Sequence, residues 1–182
     1  MTAVETELKG CFIIEPRLFE DERGHFYESY NEKTFNSAIG QKIKFVQDNQ
    51  SHSRFGVVRA LHYQIGNAAQ AKLVRVTKGK VLDVAVDLRE GSPTFGQYFS
   101  IELSEENKKQ LFIPRGFAHG FSVLSETADF LYKCDNYYNK EAERGIIYND
   151  ATLKINWQVD DSEAVISDKD AVLPSFAKVY GR

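Results

Sequence analysis

Acid–base chemistry near neutral pH depends largely on histidine, and the 182-residue chain has four: His25, His52, His62 and His119. Histidine is the side chain whose ordinary pKa lies closest to neutrality, so each of the four is a candidate proton donor or acceptor. Most histidines are structural or lie at the surface, so a chemical role needs support from neighbouring residues. His62 has the most informative neighbours.

His62 lies in an apolar segment, residues 57–64, that is predicted to form a strand. Strand alternation places His62 on the same face as Ala60 and Gln64, and it places Arg59 on the opposite face. If the His62 face lines the interior of a barrel, the small Ala60 leaves space there for a ligand. A buried imidazole needs an orienting partner, usually a carboxylate, and spacing alone does not identify that partner.

Two further side chains on predicted strands could take part in the same chemistry. Lys72 shares a strand face with Val74 and Val76. It is either a lysine that extends to water at a strand end or a cation that stabilises a developing oxyanion. Tyr132 follows Phe130 on one face; such an aromatic residue is most often part of the core, but its phenol could serve as a general acid.

Charged side chains also gather in two turn-like segments. Residues 114–120 contain two glycines and are predicted to place Arg115 and His119 beside a strand end, where the mouth of a barrel collects binding groups. Residues 167–170 combine two carboxylates with one lysine. By themselves, residues 167–170 are typical of a solvated charge cluster or a helix cap.

The elements that must position these groups are short strands. Predicted strands cover residues 11–14, 25–30, 57–64, 71–77, 81–88, 96–103, 110–114, 120–124 and 128–134, and short helices are predicted at 32–36 and 168–171. Many short strands spaced about 8–12 residues apart indicate a sandwich or barrel. No repeat, linker or change of composition divides the chain, so residues 1–182 are predicted to form a single all-β domain. Closure as a jelly roll would remove most exposed strand edges.

Composition excludes several classes of protein. Hydrophobic residues make up 42% of the chain, which indicates a globular rather than a disordered protein. The net charge is -3, which argues against a dedicated nucleic-acid-binding protein. Two cysteines, Cys11 and Cys134, are too few for a disulfide framework and are expected to be buried free thiols. With no signal-peptide pattern and no stretch of about 20 apolar residues, the expectation is a cytoplasmic protein without a membrane partner.

The order of these motifs along the chain is far more specific than any one of them. The motifs are RALHYQ at residues 59–64, Lys72, PRGFAHGF at 114–121, YKC at 132–134, the pair Tyr137 and Tyr138, ERGI at 143–146 and SDKD at 167–170. Over residues 12–174 the succession resembles the dTDP-4-dehydrorhamnose 3,5-epimerases of the cupin superfamily. The resemblance implies a cupin-type jelly-roll barrel with a few short helices.

The resemblance also implies a reaction. A metal-independent isomerase without a cofactor would convert dTDP-4-dehydro-6-deoxy-D-glucose to dTDP-4-dehydro-L-rhamnose in dTDP-L-rhamnose biosynthesis. His62 would remove protons from sugar carbons C3 and C5, with Asp170 as its orienting carboxylate. Tyr132 would return a proton from the opposite face, and Lys72 would stabilise the enolate oxygen at C4. The chemistry needs such a set, because inversion requires acid and base on opposite faces of the ring.

The same resemblance implies which residues bind the dTDP-sugar substrate. The binding positions implied are Arg23, Glu28, Gln47, Asn49, Arg59, His119, Tyr138, Glu143 and Lys169. Tyr138 would stack on the thymine ring, and arginines would bind the diphosphate through paired hydrogen bonds. Family members form homodimers that complete each other's nucleotide sites, so Arg23 and Glu28 are expected to serve the partner's pocket.

Two positions depart from the family pattern. Ala60 stands where the family usually has glycine, and its methyl group is expected to narrow the pocket slightly. Tyr148 stands where tryptophan is common. Neither departure touches the proposed acid, base or oxyanion group. Both could bear on which stereocentre is inverted.

Three alternatives remain open at the level of sequence. A metal-dependent cupin typically carries a His-x-His pair, but the position two beyond His62 is Gln64, so the first metal motif is broken. A non-catalytic binding module would be favoured by loss of His62, Tyr132 or Lys72, and all three are present. An epimerase that acts only at C3 uses the same acid and base, so the sequence separates it poorly from the double epimerase.

Overall fold

Short strands form most of the regular structure in residues 1–181, the part of the chain that the computed structural model describes. The strands are β1 (Thr2–Glu5), β2 (Phe12–Glu15), β3 (Phe19–Asp21), β4 (Gly24–Phe26), β5 (Gln47–Arg54), β6 (Val58–Gln64), β7 (Lys72–Lys78), β8 (Lys80–Asp87), β9 (Tyr98–Ser104), β10 (Gln110–Ile113), β11 (Phe117–Val123), β12 (Thr127–Cys134) and β13 (Glu143–Gly145). The helices are α1 (Glu32–Ile39), α2 (Asp168–Ala171) and α3 (Phe176–Tyr180), with a 3-10 turn at Gly66–Ala68.

Two sheets pack face to face. One has the strand order β1-β2-β10-β7-β12-β5 and the other β13-β6-β11-β8-β9, while β3 and β4 form a separate hairpin. Apolar side chains from both sheets meet between them, among them Val74, Leu111 and Phe130 from the first sheet and Val81 and Leu103 from the second. Burial of these alternating residues holds the sheets together. The prediction of an all-β protein with a few short helices is confirmed.

Several predicted boundaries were wrong for identifiable reasons. A strand was predicted at residues 25–30, but the strand found there, β4, covers only Gly24–Phe26. The carbonyl oxygen of Ser29 instead accepts a hydrogen bond from the Gln110 side chain. Strands β1 and β5 were not predicted, because Thr2–Glu5 is mixed in character and Gln47–Arg54 is wholly polar. Strand β11 begins three residues earlier than predicted, so His119 lies inside a strand and not in a turn at a barrel mouth.

A bulge in β6 overturns the predicted faces of this strand. His119 pairs with His62 and Phe121 pairs with Arg59, so Gly120 alone opposes two residues of β6. The extra residue rotates the strand, and Arg59 and His62 therefore point to the same face, contrary to the prediction. A Cβ atom at Gly120 would lie 2.6 Å from the Cβ of Ala60, which explains why glycine stands opposite the bulge.

Ala60 was predicted to border the ligand space, but it does not. Its side chain is fully buried in an outer apolar cluster with Leu82, Ile146 and Trp157, on the far side of the sheet from His62. Tyr148 packs against the same cluster. The methyl group of Ala60 therefore cannot narrow the pocket directly, and neither departure from the family pattern contacts the ligand space.

The described chain after β13 covers this outer cluster at the back of the five-stranded sheet. Backbone hydrogen bonds join Leu61 to Ile146 in both directions, at 2.8 and 3.0 Å. The Ser122 hydroxyl donates to the carbonyl oxygen of Trp157 at 2.6 Å. This covering segment carries α2 to the edge of β6, which places Asp170 beside His62.

Cys11 and Cys134 are buried free thiols, as predicted. Burial raises the pKa of the Cys11 thiol to about 12 and that of Cys134 to about 11, so both are protonated near neutral pH. No helix in residues 1–181 is both long and apolar enough to span a bilayer.

The buried carboxylate of Asp87 organises the turn that follows β8. It accepts hydrogen bonds of 2.6–3.0 Å from the backbone and guanidinium of Arg89 and from the hydroxyls of Ser92 and Thr94. Burial by itself raises the pKa of Asp87, but these hydrogen bonds outweigh it and hold the pKa well below its usual range.

Asp87→Asn is expected to lower the free energy of unfolding at neutral pH by about 2 kcal/mol, the typical worth of a charge-assisted hydrogen bond. Because the folded-state pKa lies below the unfolded-state value of about 3.9, this stabilisation is complete above that value and is lost as the pH falls below it. Urea unfolding of both proteins at neutral pH and near pH 3 measures the difference. It should shrink at the lower pH, whereas exposed Asp161→Asn should change stability little at either. A difference independent of pH would contradict the assignment.

Candidate active site

A pocket of about 510 Å³ lies between the two sheets and is lined from both. Eleven of the thirteen predicted site residues line it: Gln47, Asn49, Arg59, His62, Lys72, His119, Tyr132, Tyr138, Glu143, Lys169 and Asp170. They come from six strands, from the loop after β12 and from α2. Residues far apart in the sequence are therefore brought to one cavity.

Arg23 and Glu28 do not line this pocket. Arg23 lies on the β3–β4 hairpin with its side chain 85% exposed and paired with Asp21. Glu28 accepts a hydrogen bond from the Asn31 side chain at 3.1 Å. The expectation that these two residues serve a second subunit remains a prediction.

His62 and Asp170 form a hydrogen-bonded pair. The Nε2 atom of His62 lies 2.8 Å from Oδ1 of Asp170, and the carboxylate is only 7% exposed. Burial raises the pKa of Asp170, but interactions with His62, with the Ala60 backbone and with Ser167 together outweigh this effect, and the net result is a lowered pKa. An ionised Asp170 fixes the proton on Nε2. The Nδ1 atom is then the proton acceptor, and it has no hydrogen-bond partner within residues 1–181.

Asp170 is itself held in place by the start of α2. The Ser167 hydroxyl accepts a hydrogen bond from the Asp170 backbone N–H at 3.1 Å, which caps the helix. Residues 167–170 were described from the sequence as a charge cluster or a helix cap. The cap is present, and the third residue of the helix supplies the carboxylate that orients His62.

Lys72 faces the pocket from β7 without a counter-ion. It has no ion-pair partner within residues 1–181, and its ammonium lies 5.7 Å from the centre of the Tyr132 ring. Burial lowers the pKa of Lys72, because the charged form loses contact with water. A cation with no protein partner inside a partly dry pocket can stabilise negative charge that develops on a bound molecule.

Tyr132 belongs to an aromatic wall on β11 and β12. The rings of Phe121 and Phe130 stack 4.2 Å apart, and the Tyr132 ring lies 6.1 Å from that of Phe130. Burial raises the pKa of Tyr132, so the phenol keeps its proton and can act as a donor. Its hydroxyl has no hydrogen-bond partner among the described residues, which leaves the proton available to a ligand.

His119 forms a second histidine–carboxylate pair beneath the pocket. Its Nε2 atom lies 2.9 Å from Oδ2 of Asp83, and both side chains are buried. Burial lowers the pKa of His119, which favours the neutral imidazole. Asp83 was not predicted as a functional residue. The sequence did contain a signal for Asp83, because alternation in β8 places its carboxylate on the same inward face as Val81 and Ala85.

Three polar side chains meet at the mouth of the pocket. Glu143 Oε2 accepts hydrogen bonds from the Tyr138 hydroxyl at 2.9 Å and from the Lys169 ammonium at 2.7 Å. Burial raises the pKa of Glu143, but these two bonds and the positive charge of Lys169 together outweigh it and lower the pKa overall. Tyr138 is 55% exposed, so more than half of this side chain is accessible to a ligand.

Strand β5 contributes the polar side of the pocket. Gln47 and Asn49 point inward and are hydrogen-bonded to each other at 3.0 Å. Arg59 approaches this strand from the opposite sheet, and its Nε donates to the Ser53 hydroxyl at 3.2 Å. An arginine beside amide groups at an open pocket is suited to bind phosphate oxygens.

Metal ligands are not grouped in the described part of the chain, where no set of three or more His, Cys, Asp or Glu side chains is placed to hold an ion. At the position where a metal-binding cupin often has its second histidine, Gln64 makes hydrogen bonds to backbone atoms.

Comparison with known proteins places this geometry in a family. The family model described as dTDP-4-dehydrorhamnose 3,5-epimerase matches residues 5–178. The dTDP-4-dehydrorhamnose 3,5-epimerase of Shigella flexneri is 53% identical over 170 residues, which cover 93% of each chain.

Solved structures agree with the fold. The crystal structure of dTDP-4-dehydrorhamnose 3,5-epimerase from Elizabethkingia anophelis has a TM-score of 0.94 and 57% identity, and the match covers 98% of this chain and 97% of that one. A Legionella pneumophila epimerase in complex with dTDP-4-keto-L-rhamnose has a TM-score of 0.91 and 49% identity, with coverage of 96% and 92%. The predicted cupin-type jelly-roll barrel is thereby confirmed. The chain belongs to the dTDP-4-dehydrorhamnose 3,5-epimerase family.

Proposed function

We propose that the protein is a dTDP-4-dehydrorhamnose 3,5-epimerase that converts dTDP-4-dehydro-6-deoxy-D-glucose to dTDP-4-dehydro-L-rhamnose. The observation that carries the proposal is the pairing of His62 with Asp170 in the pocket that also holds Lys72 and Tyr132. These are a base, a cation and an acid. Removal of a proton beside a ketone and its return from the other side require such a set.

The reaction begins with proton abstraction by His62. Its Nδ1 atom takes the proton from C3 or C5, and the electron pair of the broken C–H bond forms a double bond to C4 while the C4 oxygen becomes an enolate. Asp170 stabilises the imidazolium that results. Because Lys72 is a poorly hydrated cation in the same pocket, it stabilises the enolate oxygen.

Inversion requires that a proton returns from the opposite face of the ring. Tyr132 donates its phenolic proton to the carbon while the enolate electrons restore the C4 ketone. The tyrosinate and the imidazolium then exchange protons with water, which resets both groups. The raised pKa of Tyr132 supports this role, since the phenol is protonated when the enolate forms.

The nucleotide half of the substrate is bound at the open end of the pocket. Tyr138 stacks on the thymine ring, and Arg59 and Lys169 bind the diphosphate. Gln47, Asn49, His119 and Glu143 supply further polar contacts from the pocket wall. We further propose that residues 1–182 act as a single domain in a cytoplasmic homodimer, in which Arg23 and Glu28 complete the partner's nucleotide site. The exposed β3–β4 hairpin supports this arrangement.

Deuterium incorporation tests the reaction directly. The protein is incubated with dTDP-4-dehydro-6-deoxy-D-glucose in heavy water, and the recovered sugar nucleotide is analysed by mass spectrometry. Two deuterons per molecule are expected, one at C3 and one at C5. One deuteron would instead identify an epimerase that acts only at C3. No deuterium would contradict an epimerase activity on this substrate.

A further inference from the structure

Tyr138 lies on a loop, and its position at the mouth of the pocket depends on how that loop is held. The loop follows β12 and leads to β13. The Tyr138 ring is more than half exposed, so little packing fixes it from the sides. Its hydroxyl contacts Glu143, but one hydrogen bond at the ring tip leaves the backbone position undetermined. Contacts to the backbone of residues 137–139 must therefore fix the position of Tyr138.

Gln64 supplies two of those backbone contacts. Its Nε2 atom donates to the carbonyl oxygens of Ala68 at 2.7 Å and of Tyr137 at 3.2 Å. Its Oε1 atom accepts a hydrogen bond from the Asn139 backbone N–H at 2.6 Å. The Gln64 side chain is buried, so these three hydrogen bonds are shielded from water.

The residue between these two contacts is held from the other sheet. The Tyr138 backbone N–H donates to Oε1 of Gln47 on β5 at 3.0 Å. Each of the three loop residues 137–139 thus has a backbone group bound to a glutamine side chain, and the two glutamines belong to different sheets. This arrangement fixes the loop across the gap between the sheets.

We infer that Gln64 is a positioning residue that fixes Tyr138 for stacking on the nucleobase of the substrate. The inference rests on the proposed function, because it concerns the nucleotide end of the same pocket. A primary amide is required at this place, since only it donates two N–H groups and also offers a carbonyl oxygen at glutamine length. Gln64 lines the pocket, but its amide is bound to backbone groups of the loop, so its effect is expected to fall on binding and not on proton transfer.

Gln64→Met keeps the length of the side chain and removes its hydrogen bonds. The variant is expected to raise the dissociation constant for dTDP and the KM for the sugar nucleotide by about tenfold, within the range that loss of base–aromatic stacking produces. The kcat should change by less than about twofold, because His62, Lys72 and Tyr132 are held by other contacts. The exposed substitution Gln97→Met is the matched control and should change neither constant.

A double-mutant cycle with Tyr138→Ala separates positioning from a general structural role. The dissociation constant for dTDP is measured by calorimetry for the wild type, for each single variant and for the double variant. If Gln64 acts through Tyr138, Gln64→Met weakens binding in the wild-type background and has almost no effect in the Tyr138→Ala background. An equal loss in both backgrounds, or no loss in either, would overturn the inference.

A second variant keeps the inference testable if Gln64→Met fails to fold. Gln64→Glu keeps the length of the side chain and the acceptor for the Asn139 N–H, but it replaces two donated hydrogen bonds by repulsion from two carbonyl oxygens. The same pattern in the cycle is expected, with melting temperatures reported for all variants. If the wild type binds dTDP and epimerises the sugar while both Gln64 variants match it, only this inference fails. If the wild type neither binds dTDP nor exchanges deuterium, the proposed function fails with it.

Discussion

His62→Ala is expected to abolish solvent-deuterium exchange at both C3 and C5 and to reduce epimerisation by about 1,000-fold, a typical loss for a general base. One imidazole is expected to serve both carbons, because His62, paired with Asp170, lines the same pocket as Lys72 and Tyr132. Exchange is measured by mass spectrometry in heavy water under single-turnover conditions. Binding of dTDP should be nearly unchanged, since the nucleotide end of the pocket is built from other residues.

A further histidine–carboxylate pair, on the surface of the protein, provides the control for this prediction. His52 lies 2.6 Å from Asp129 on the exposed outer surface of the six-stranded sheet. His52→Ala removes the same chemical group from a similar partner and should leave exchange and epimerisation unchanged. Exchange that persists in His62→Ala at either carbon would show that another group acts as the base there.

Tyr132→Phe is expected to separate exchange from inversion. The base and the cation remain, so the enolate still forms, and His62 can return a deuteron to the face from which it took the proton. Deuterium should therefore enter the substrate with retention of configuration at a rate within about tenfold of wild type. Formation of the inverted product should fall by about 100-fold, in the range for loss of a general acid.

Proton nuclear magnetic resonance of the sugar distinguishes the two outcomes, because the protons that remain on the ring have different chemical shifts when the deuterated centre is retained and when it is inverted. Tyr137→Phe is the matched control, since that phenol is exposed on the neighbouring loop and should affect neither rate. If exchange and inversion fell by the same factor, Tyr132 would be needed to form the enolate as well. If neither fell, the proton would return from another donor.

Much of the fold follows from local patterns. Strands β8 and β12 are rich in apolar residues, and both were predicted within a residue of their ends. Strand β5 could not be found in this way, because it combines an exposed outer face with polar residues that line the pocket. Binding groups thus replaced the apolar side chains on which strand prediction depends.

Local sequence patterns predicted the site less well than the fold. Alternation placed Arg59 away from His62, since a two-against-one pairing depends on the partner strand and cannot be read from β6 alone. The link from His62 to Asp170 spans 108 residues, and no spacing rule connects them. Family resemblance supplied that pairing. Local patterns supplied only the inward face of Lys72 and the shared face of Tyr132 and Phe130.

During synthesis, the order of elements along the chain separates completion of the barrel from orientation of the base. Strands β1 to β13 are complete once Gly145 has been added, whereas Asp170 follows twenty-five residues later. A nascent chain at that stage can pair every strand of both sheets, yet the imidazole of His62 still lacks its carboxylate. A prematurely terminated chain would therefore present most of the sugar pocket without an oriented base. Catalytic activity thus reports that the segment that carries Asp170 has been made and has docked.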